Sequence, residues 1–266
     1  MAKIKAGDLV LFFYNDSKKW LLKISKKEQF HSHIGVIKHS DAIGKEFGSR
    51  LITNKDKYVY LLKPTLHDHV MKMQHSTQIV YPKDFGYIAA RMGVQSGQKI
   101  VEIGTGSGSL TTFLASIVNP RGHVYTFDVE PKFMEVAEKN IKKAGMSKYV
   151  TMHEMNLKKS KKMPLKDMDL AIIDLGDPWE VLPQVRKMLK SSGSIAAICP
   201  TMNQLEKLSV AFVESEFTGI ECTEHILRRI EARDGKTRHS YQGIGHTTYL
   251  AIARKVHFNK KRTKKK

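Results

Sequence analysis

Short apolar runs alternate with segments of helical spacing from about residue 84 to residue 254. The apolar runs predict strands at 99–104, 123–128, 149–155, 169–175, 194–200, near 219–229 and at 247–254. The segments between them predict helices at 84–94, 108–118, 131–144, 180–190 and 203–216. Because strands that are joined by helices pair in parallel, this alternation predicts an open α/β sheet of seven, mostly parallel, strands. Ligands bind such sheets beyond the carboxyl ends of the strands.

The first 62 residues follow a different pattern. Polar turns separate four β-rich runs, namely LVLFFY, WLLKIS, HIGVIK and YVYLLK. Short strands at this spacing predict a small, all-β, barrel-like domain at 1–62. The sequence then predicts a linker at 63–83 that also carries the start of the site, a main domain at 84–254 and a basic tail at 255–266.

The charge of the chain is concentrated at its two ends. The 266 residues include 45 Lys and Arg and 26 Asp and Glu, a net charge of +19. Residues 1–75 carry +7 and residues 255–266 carry another +7, whereas the long middle section carries only +5. Basic ends on a nearly balanced body favour a protein that binds a nucleic acid and has a separate ligand-binding body.

Several classes of protein are excluded by composition. Cys199 and Cys222 are the only cysteines and form no CxxC pair, which argues against zinc ribbons and iron–sulfur proteins. No cluster of Cys, Asp or Glu completes a ligand set with the HxH pairs at 31–33 and 67–69, so no metal site is expected. No apolar run is long enough to span a bilayer, and we expect a cytoplasmic protein without membrane contact.

A glycine loop, EIGTGSG at 102–108, follows the strand at 99–104 and leads into a helix. No lysine follows Gly108, so this is not a Walker A loop, and Ser109 stands where a dinucleotide fingerprint would have its third glycine. The next strand ends at Asp128, whose carboxylate could accept hydrogen bonds from ribose hydroxyls. The strand after that leads to Asn156, whose amide could meet an adenine edge.

Together, the glycine loop, Asp128 and Asn156 resemble the site of class I S-adenosylmethionine-dependent methyltransferases, which have a Rossmann-like sheet. Three further runs resemble the tRNA adenine-N1 methyltransferases that modify the T loop: QIVYPKD at 78–84, DLGDPW at 174–179 and GHTTYL at 245–250. The resemblance covers nearly all of residues 1–254, and the basic tail lies outside it.

The resemblance implies S-adenosylmethionine as cofactor, tRNA as partner and a homo-oligomer, with a tetramer expected. It implies methyl transfer to N1 of adenine 58, and leaves adenine 57 open as a second target. Asp174 and Tyr81 are the expected catalytic residues, with Tyr81 stacking on or hydrogen-bonding a flipped adenine. The residues that the resemblance assigns to the cofactor are Ile79, Gly104, Gly106, Ser107, Gly108, Ser109, Leu110, Asp128, Asn156 and Asp174.

Three alternatives stay open at the level of sequence. Asp177 competes with Asp174 for the acidic role, because Asp177-Pro178-Trp179 resembles the loop of amino-directed methyltransferases. A protein isoaspartate methyltransferase shares a similar glycine loop, although a peptide substrate does not call for +19. The third alternative is a non-catalytic tRNA-binding subunit of a methyltransferase complex. Pairing of either cysteine across subunits is also undecided.

Overall fold

The structure is a computed structural model that describes residues 2–75, 78–160, 163–241, 243 and 245–257. The chain forms two compact units, Met1–Met73 and Gln74–Lys266. Most of the predicted basic tail, from residue 258 onward, lies outside the described residues.

The described part of the first unit contains six short strands, one α-helix and a 3-10 helix at His39–Asp41. The strands and the α-helix are β1 (Leu9–Asn15), β2 (Lys18–Lys23), β3 (Gln29–Ser32), β4 (Gly35–Lys38), β5 (Arg50–Ile52), β6 (Tyr58–Leu62) and α1 (Leu66–Met71). Four strands pair antiparallel in the order β2-β1-β6-β5, and β3 and β4 form a separate hairpin. Alternate side chains of β1 and β6 are buried against Phe30 and Ile37, so the predicted small β domain is confirmed.

One helix of this unit lies inside the predicted linker. Thr65 begins α1 with a capping box: its hydroxyl accepts a hydrogen bond from the Asp68 backbone N–H, and the Asp68 carboxylate accepts one from the Thr65 N–H. This pairing satisfies backbone donors that the first turn of a helix leaves free. The six-residue helix is too short for a clear periodic pattern, which explains why the sequence favoured a linker there.

The second unit contains a seven-stranded sheet flanked by helices. Its strands are β7 (Lys99–Ile103), β8 (His123–Asp128), β9 (Val150–Glu154), β10 (Met168–Ile173), β11 (Leu189–Cys199), β12 (Phe217–Glu224) and, last in the chain, β15 (Tyr249–Lys255). Its helices are α2 (Pro82–Met92), α3 (Ser109–Val118), α4 (Pro131–Lys143), α5 (Leu182–Met188) and α6 (Met202–Glu214). Two strands of two residues each, β13 (Ile230–Glu231) and β14 (Arg238–His239), pair antiparallel in the loop before β15. No helix in the described part of the chain is both long and apolar enough to cross a membrane.

The strand order is β12-β15-β11-β10-β7-β8-β9. Only β15 runs antiparallel to its neighbours, so the predicted mostly parallel sheet of seven strands is confirmed. The chain moves outward from β7 to β9 and then returns to place β10 on the other side of β7. This reversal opens a crevice at the carboxyl ends of β7 and β10, where ligands of such sheets bind.

The end of the sheet differs from the sequence prediction at Lys255, which was assigned to the basic tail. Lys255 is the last residue of β15 and is only 8% exposed. Its ammonium donates hydrogen bonds to the backbone carbonyls of Arg186 (2.8 Å) and Leu189 (2.6 Å) at the end of α5. Burial, together with the nearby charge of Arg186, lowers the pKa of Lys255. This lysine therefore caps a helix inside the main unit.

Candidate active site

The glycine loop lies between β7 and α3 and closely approaches the end of β10. Gly104 has a φ of +99°, and a Cβ atom there would lie 2.1 Å from the backbone carbonyl oxygen of Asp174. Gly108 has a φ of +75°, and a Cβ atom there would lie 3.1 Å from the Cβ of Ala137. Glycine is required at both positions because an L side chain would be strained and would displace a neighbour.

Asp128 holds the loop in place from the end of β8. Its Oδ2 accepts hydrogen bonds from the backbone N–H groups of Thr105 and Gly106, both at 3.0 Å. Its Oδ1 accepts from the N–H groups of Val129 (2.8 Å) and Glu130 (3.0 Å). A ribose hydroxyl at this carboxylate must therefore share an oxygen that already accepts two backbone donors. The ribose-binding role of Asp128 stays a prediction, whereas its role in shaping the loop is visible.

The other predicted residues of the loop lie where it joins α3, which begins at Ser109. Ser107, Ser109 and Leu110 are all buried where the loop joins the helix, and Gly106 adopts a positive φ of 52°. The first backbone N–H groups of a helix have no partner within it, so this junction offers donors to a ligand that carries carboxylate or other acceptor oxygens.

A first cavity, cavity A, lies at the carboxyl ends of β8 and β10 and has a volume of about 220 Å³. Asp128, Asn156, Leu157, Phe127 and Gly176 contribute to its lining. Its lining is mostly apolar, with polar groups from Asp128 and Asn156 at the wall, which suits a flat nucleoside. Cavity A thus brings together two of the residues that the sequence assigned to the cofactor.

A second cavity, cavity B, has a volume of about 110 Å³ and collects residues from distant parts of the sequence. It is lined by residues 78–81, Asp84, Asp174, Ile198, Pro200, Thr247 and Thr248. Ile79, Tyr81 and Asp174, all predicted site residues, therefore face the same small space. A larger groove of about 460 Å³ lies along α4 and β9 and is lined by none of the predicted site residues.

The two competing acids occupy different environments. Asp174 lines cavity B, and its backbone oxygen is the group that Gly104 approaches. Asp177 lines neither cavity; its side chain is 52% exposed and lies 3.6 Å from the ammonium of Lys158. Of these two acids, Asp174 is the one that lines a cavity, and its catalytic role stays a prediction.

Two acids near the loop, the buried Glu102 and the partly buried Asp174, have raised pKa values. Burial, reinforced by the charge of Asp128, raises the pKa of Asp174 to about 6. Burial also raises the pKa of Glu102 to about 8, although hydrogen bonds from threonines oppose the rise. The Thr111 hydroxyl donates to Glu102 Oε2 at 2.5 Å, while Oε1 is buried without a hydrogen-bond partner in the described part of the chain. At neutral pH Glu102 is therefore mostly protonated, and Asp174 is mostly ionised, so Asp174 is the one of these two acids that can attract a cationic ligand.

These groups fit S-adenosylmethionine, which carries positive charge on its sulfonium and its ammonium. The close approaches at Gly104 and Gly108 leave room for a ligand beside the loop, and the carboxylate of Asp174 matches its positive charge. Within the described ranges, no group of three or more His, Cys, Asp or Glu side chains is arranged to hold a metal ion.

Two of the sequence motifs meet at a buried ion pair beside cavity B. The Lys83 ammonium donates to Asp84 Oδ1 (2.7 Å) and to the Thr247 hydroxyl (2.6 Å), and that hydroxyl also contacts Asp84 Oδ2 (3.1 Å). Asp84 is fully buried. Lys83, Asp84 and Thr247 all lie within the recognised motifs, but the sequence predicted no role for them. The contact between Lys83 and Thr247 joins positions that are 164 residues apart, and no local pattern shows it.

His246, next to Thr247 in the sequence, makes hydrogen-bond contacts at the same edge of the sheet. Its Nδ1 lies 2.6 Å from Glu224 Oε1, and its Nε2 lies 3.0 Å from the carbonyl oxygen of Pro200. Hydrogen bonding to Glu224 raises the pKa of His246, since both ring nitrogens face acceptors. The histidine thereby joins the end of β12 to the residues that follow β11.

A parallel sheet with a reversed strand near one edge, and a glycine loop after the strand at its switch point, is the architecture of class I S-adenosylmethionine-dependent methyltransferases. The structural comparison agrees. A SAM-dependent O-methyltransferase from Thermotoga maritima superposes with a TM-score of 0.91 at 32% identity, covering 96% of each chain. The tRNA (m1A58) methyltransferase TrmI from Aquifex aeolicus superposes with a TM-score of 0.85 at 29% identity, covering 97% of this chain and all of the other.

Sequence comparison narrows the class to a family. The family model of the tRNA methyltransferase complex GCD14 subunit matches residues 57–266. The tRNA (adenine(57)-N(1)/adenine(58)-N(1))-methyltransferase TrmI of Methanocaldococcus jannaschii is 33% identical over 89% of this chain and 91% of its own length. The catalytic subunit TRM61 of Cryptococcus neoformans is 31% identical over 86% of this chain and 53% of its own length. The chain belongs to the GCD14 family of tRNA methyltransferases, and the resemblance seen in its motifs is confirmed.

Proposed function

We propose that this protein transfers a methyl group from S-adenosylmethionine to N1 of adenine 58 in the T loop of tRNA. The observation that carries the proposal is cavity B, in which Tyr81 and Asp174 from two family motifs meet beside the glycine loop. Relatives over most of the chain are named for this reaction. The name of the Methanocaldococcus relative also includes adenine 57, so both positions belong in the assay.

For this methyl transfer the protein has two main tasks. It orients the adenine toward the methyl group, and it stabilises the positive charge that develops on the base. Bound S-adenosylmethionine supplies an electrophilic methyl group, and adenine N1 is already a free nucleophile at neutral pH. The methylated base becomes a cation as the bond forms. The Asp174 carboxylate accepts a hydrogen bond from the exocyclic amine, stabilises that developing charge and then takes the proton.

The raised pKa of Asp174 suits this role. With a pKa of about 6, the carboxylate is still mostly ionised above pH 7, yet it is a stronger base than an ordinary aspartate. Activity should therefore rise with pH through about 6 as Asp174 loses its proton. Tyr81, in the lining of the same cavity, provides the aromatic face on which an extruded adenine stacks.

The non-catalytic alternative has less support from the geometry. A subunit that only bound RNA would have no use for a glycine loop pressed against the end of β10, nor for an acid with a raised pKa in a cavity. This chain has both features: Gly104 lies against the end of β10 in a loop that Asp128 holds, and Asp174 is the acid with the raised pKa. We propose that the basic residues of the first unit and of the tail grip the tRNA backbone, and that the chain acts as a homo-oligomer, with a tetramer expected.

The test is a methyl-transfer assay with a labelled donor and an unmodified tRNA transcript, followed by nucleoside mass spectrometry and mapping. We expect 1-methyladenosine at position 58, lost when that adenine is replaced by guanine. A product methylated on oxygen would favour the activity for which the Thermotoga relative is named. Label in a peptide that contains isoaspartate would favour the protein methyltransferase, and no transfer to either substrate would favour a binding subunit.

A further inference from the structure

Asn140 on α4 makes three hydrogen bonds that link two parts of the site. It is 5% exposed. Its Nδ2 donates to the backbone carbonyls of Gln74 and Ser107, both at 2.9 Å, and its Oδ1 accepts from the Gln74 backbone N–H at 3.2 Å. The carboxamide thus pairs with both the N–H and the carbonyl of Gln74, much as a neighbouring strand would. Its second N–H donates to the Ser107 carbonyl in the glycine loop.

Only a primary amide on a short stem can satisfy this arrangement. A side-chain carboxamide offers two donors and an acceptor from one rigid plane. Aspartate keeps the acceptor and loses both donors, while alanine loses all three groups. Either change removes the donor to the backbone carbonyls of Gln74 and Ser107. Ser107 is buried, where the loss of a hydrogen bond is costly.

The segment that begins at Gln74 leads to cavity B. Ile79 and Tyr81 lie on it and line that cavity. At its far end, the Lys83–Asp84 pair and the Thr247 hydroxyl hold it to the edge of the sheet. Hydrogen bonds therefore hold the segment at both ends. At the Gln74 end, Asn140 connects it to the glycine loop, and Gly104 of this loop closely approaches Asp174.

We propose that Asn140 is a positioning residue for methyl transfer: it sets where the segment with Tyr81 stands relative to the glycine loop. The inference rests on the proposed function and deepens it. Asn140 acts through the backbones of Gln74 and Ser107. Releasing the segment should therefore disturb the alignment of acceptor and donor more than the affinity for the donor.

The experiment compares Asn140→Ala and Asn140→Asp with the matched variants Asn119→Ala and Asn119→Asp. The Asn119 carboxamide also donates to backbone carbonyls, but these belong to Ser116 and Ala115 at the end of α3 and not to the glycine loop or to the segment that begins at Gln74. For each variant one measures kcat, KM for tRNA, the dissociation constant for S-adenosylmethionine by calorimetry, and hydrogen exchange of the peptide around Gln74 without cofactor.

We expect kcat to fall by about 10- to 100-fold in both Asn140 variants, as for a small misplacement of reacting groups. The dissociation constant for S-adenosylmethionine should change by less than about threefold, far less than the tenfold that 1.4 kcal/mol represents. Exchange around Gln74 should rise in both Asn140 variants and stay unchanged in the Asn119 variants. If alanine prevents folding, the aspartate variant, which keeps the acceptor for the Gln74 N–H, carries the test.

Three results would overturn the inference: unchanged kcat despite faster exchange, an equal fall of kcat in the Asn119 variants, or a loss of cofactor affinity as large as the loss of kcat. A wild-type protein that does not methylate tRNA refutes the proposed function instead, so the two failures are distinct.

Discussion

Replacing Asp174 by asparagine should stabilise the fold while removing activity. Burial, with repulsion from Asp128, raises the pKa of Asp174 to about 6 from the usual 3.8, so the folded chain holds an unfavourable charge at pH 7.5. A rise of that size corresponds to about 3 kcal/mol of folding free energy. Because the side chain keeps some contact with solvent, we expect a gain of about 1–3 kcal/mol when the charge is removed.

The stability gained by Asp174→Asn should depend on pH in a direction that follows from the raised pKa of Asp174. An acid whose pKa is higher in the folded state than in the unfolded state destabilises the fold only where the unfolded chain has lost the proton. For Asp174 the penalty is absent below about pH 4, grows between pH 4 and 6, and is complete above pH 6. Calorimetric melting of Asp174→Asn should show a Tm advantage of about 2–10 °C at pH 7.5. The advantage should shrink as the pH is lowered toward 5.

Activity provides the second half of the test. Asparagine can neither carry the negative charge nor take a proton, so methyl transfer should fall by about 100-fold or more. The control is Asp177→Asn, because Asp177 is half exposed and pairs with Lys158 at the surface. It should leave activity and Tm nearly unchanged. A lower Tm for Asp174→Asn at pH 7.5, a pH-independent difference, or full activity in that variant would refute the reasoning.

Three further substitutions test the surroundings of this acid. Gly104→Ala would place a Cβ atom 2.1 Å from the Asp174 carbonyl oxygen, so calorimetry should detect no binding of S-adenosylmethionine; normal affinity would contradict the close approach. Lys83→Met leaves the buried Asp84 carboxylate without its cation, and urea unfolding should show a loss of about 3–5 kcal/mol; an unchanged midpoint would mean that the pair contributes nothing. Glu102→Gln removes an acid whose pKa is raised to about 8, so its Tm advantage should grow between about pH 5 and 8 and then level off, whereas a flat profile would mean that Glu102 titrates normally.

The order of elements in the main unit was readable from the sequence because its signals are local. Pro131 at the start of α4 and Gly145 after its end mark that helix, and the helix begins and ends within a residue of the prediction. The apolar run of β10 predicted a strand buried on both faces, and its residues are largely buried. Such patterns depend on neighbours one to four positions apart, which the sequence displays directly.

Short or irregular elements were harder to predict. The helix α1 and the hairpin of β13 and β14 have too few residues for a periodicity to emerge. Lys255 looked like part of a basic tail because the sequence shows its charge and not its surroundings. Its burial depends on carbonyl groups at the end of α5, more than 60 positions earlier.

The sequence by itself determined the strand order along the chain, the glycine loop and the motifs that identify the family. It also named Tyr81 and Asp174, since motif residues are recognisable one by one. Only the tertiary structure decided which of them share a space. The sheet order places β10 beside β7, which brings Asp174 against Gly104, and the reversed β15 carries Thr247 to Lys83. Contacts of this kind follow from how strands pair across long separations, and a local pattern contains no record of that pairing.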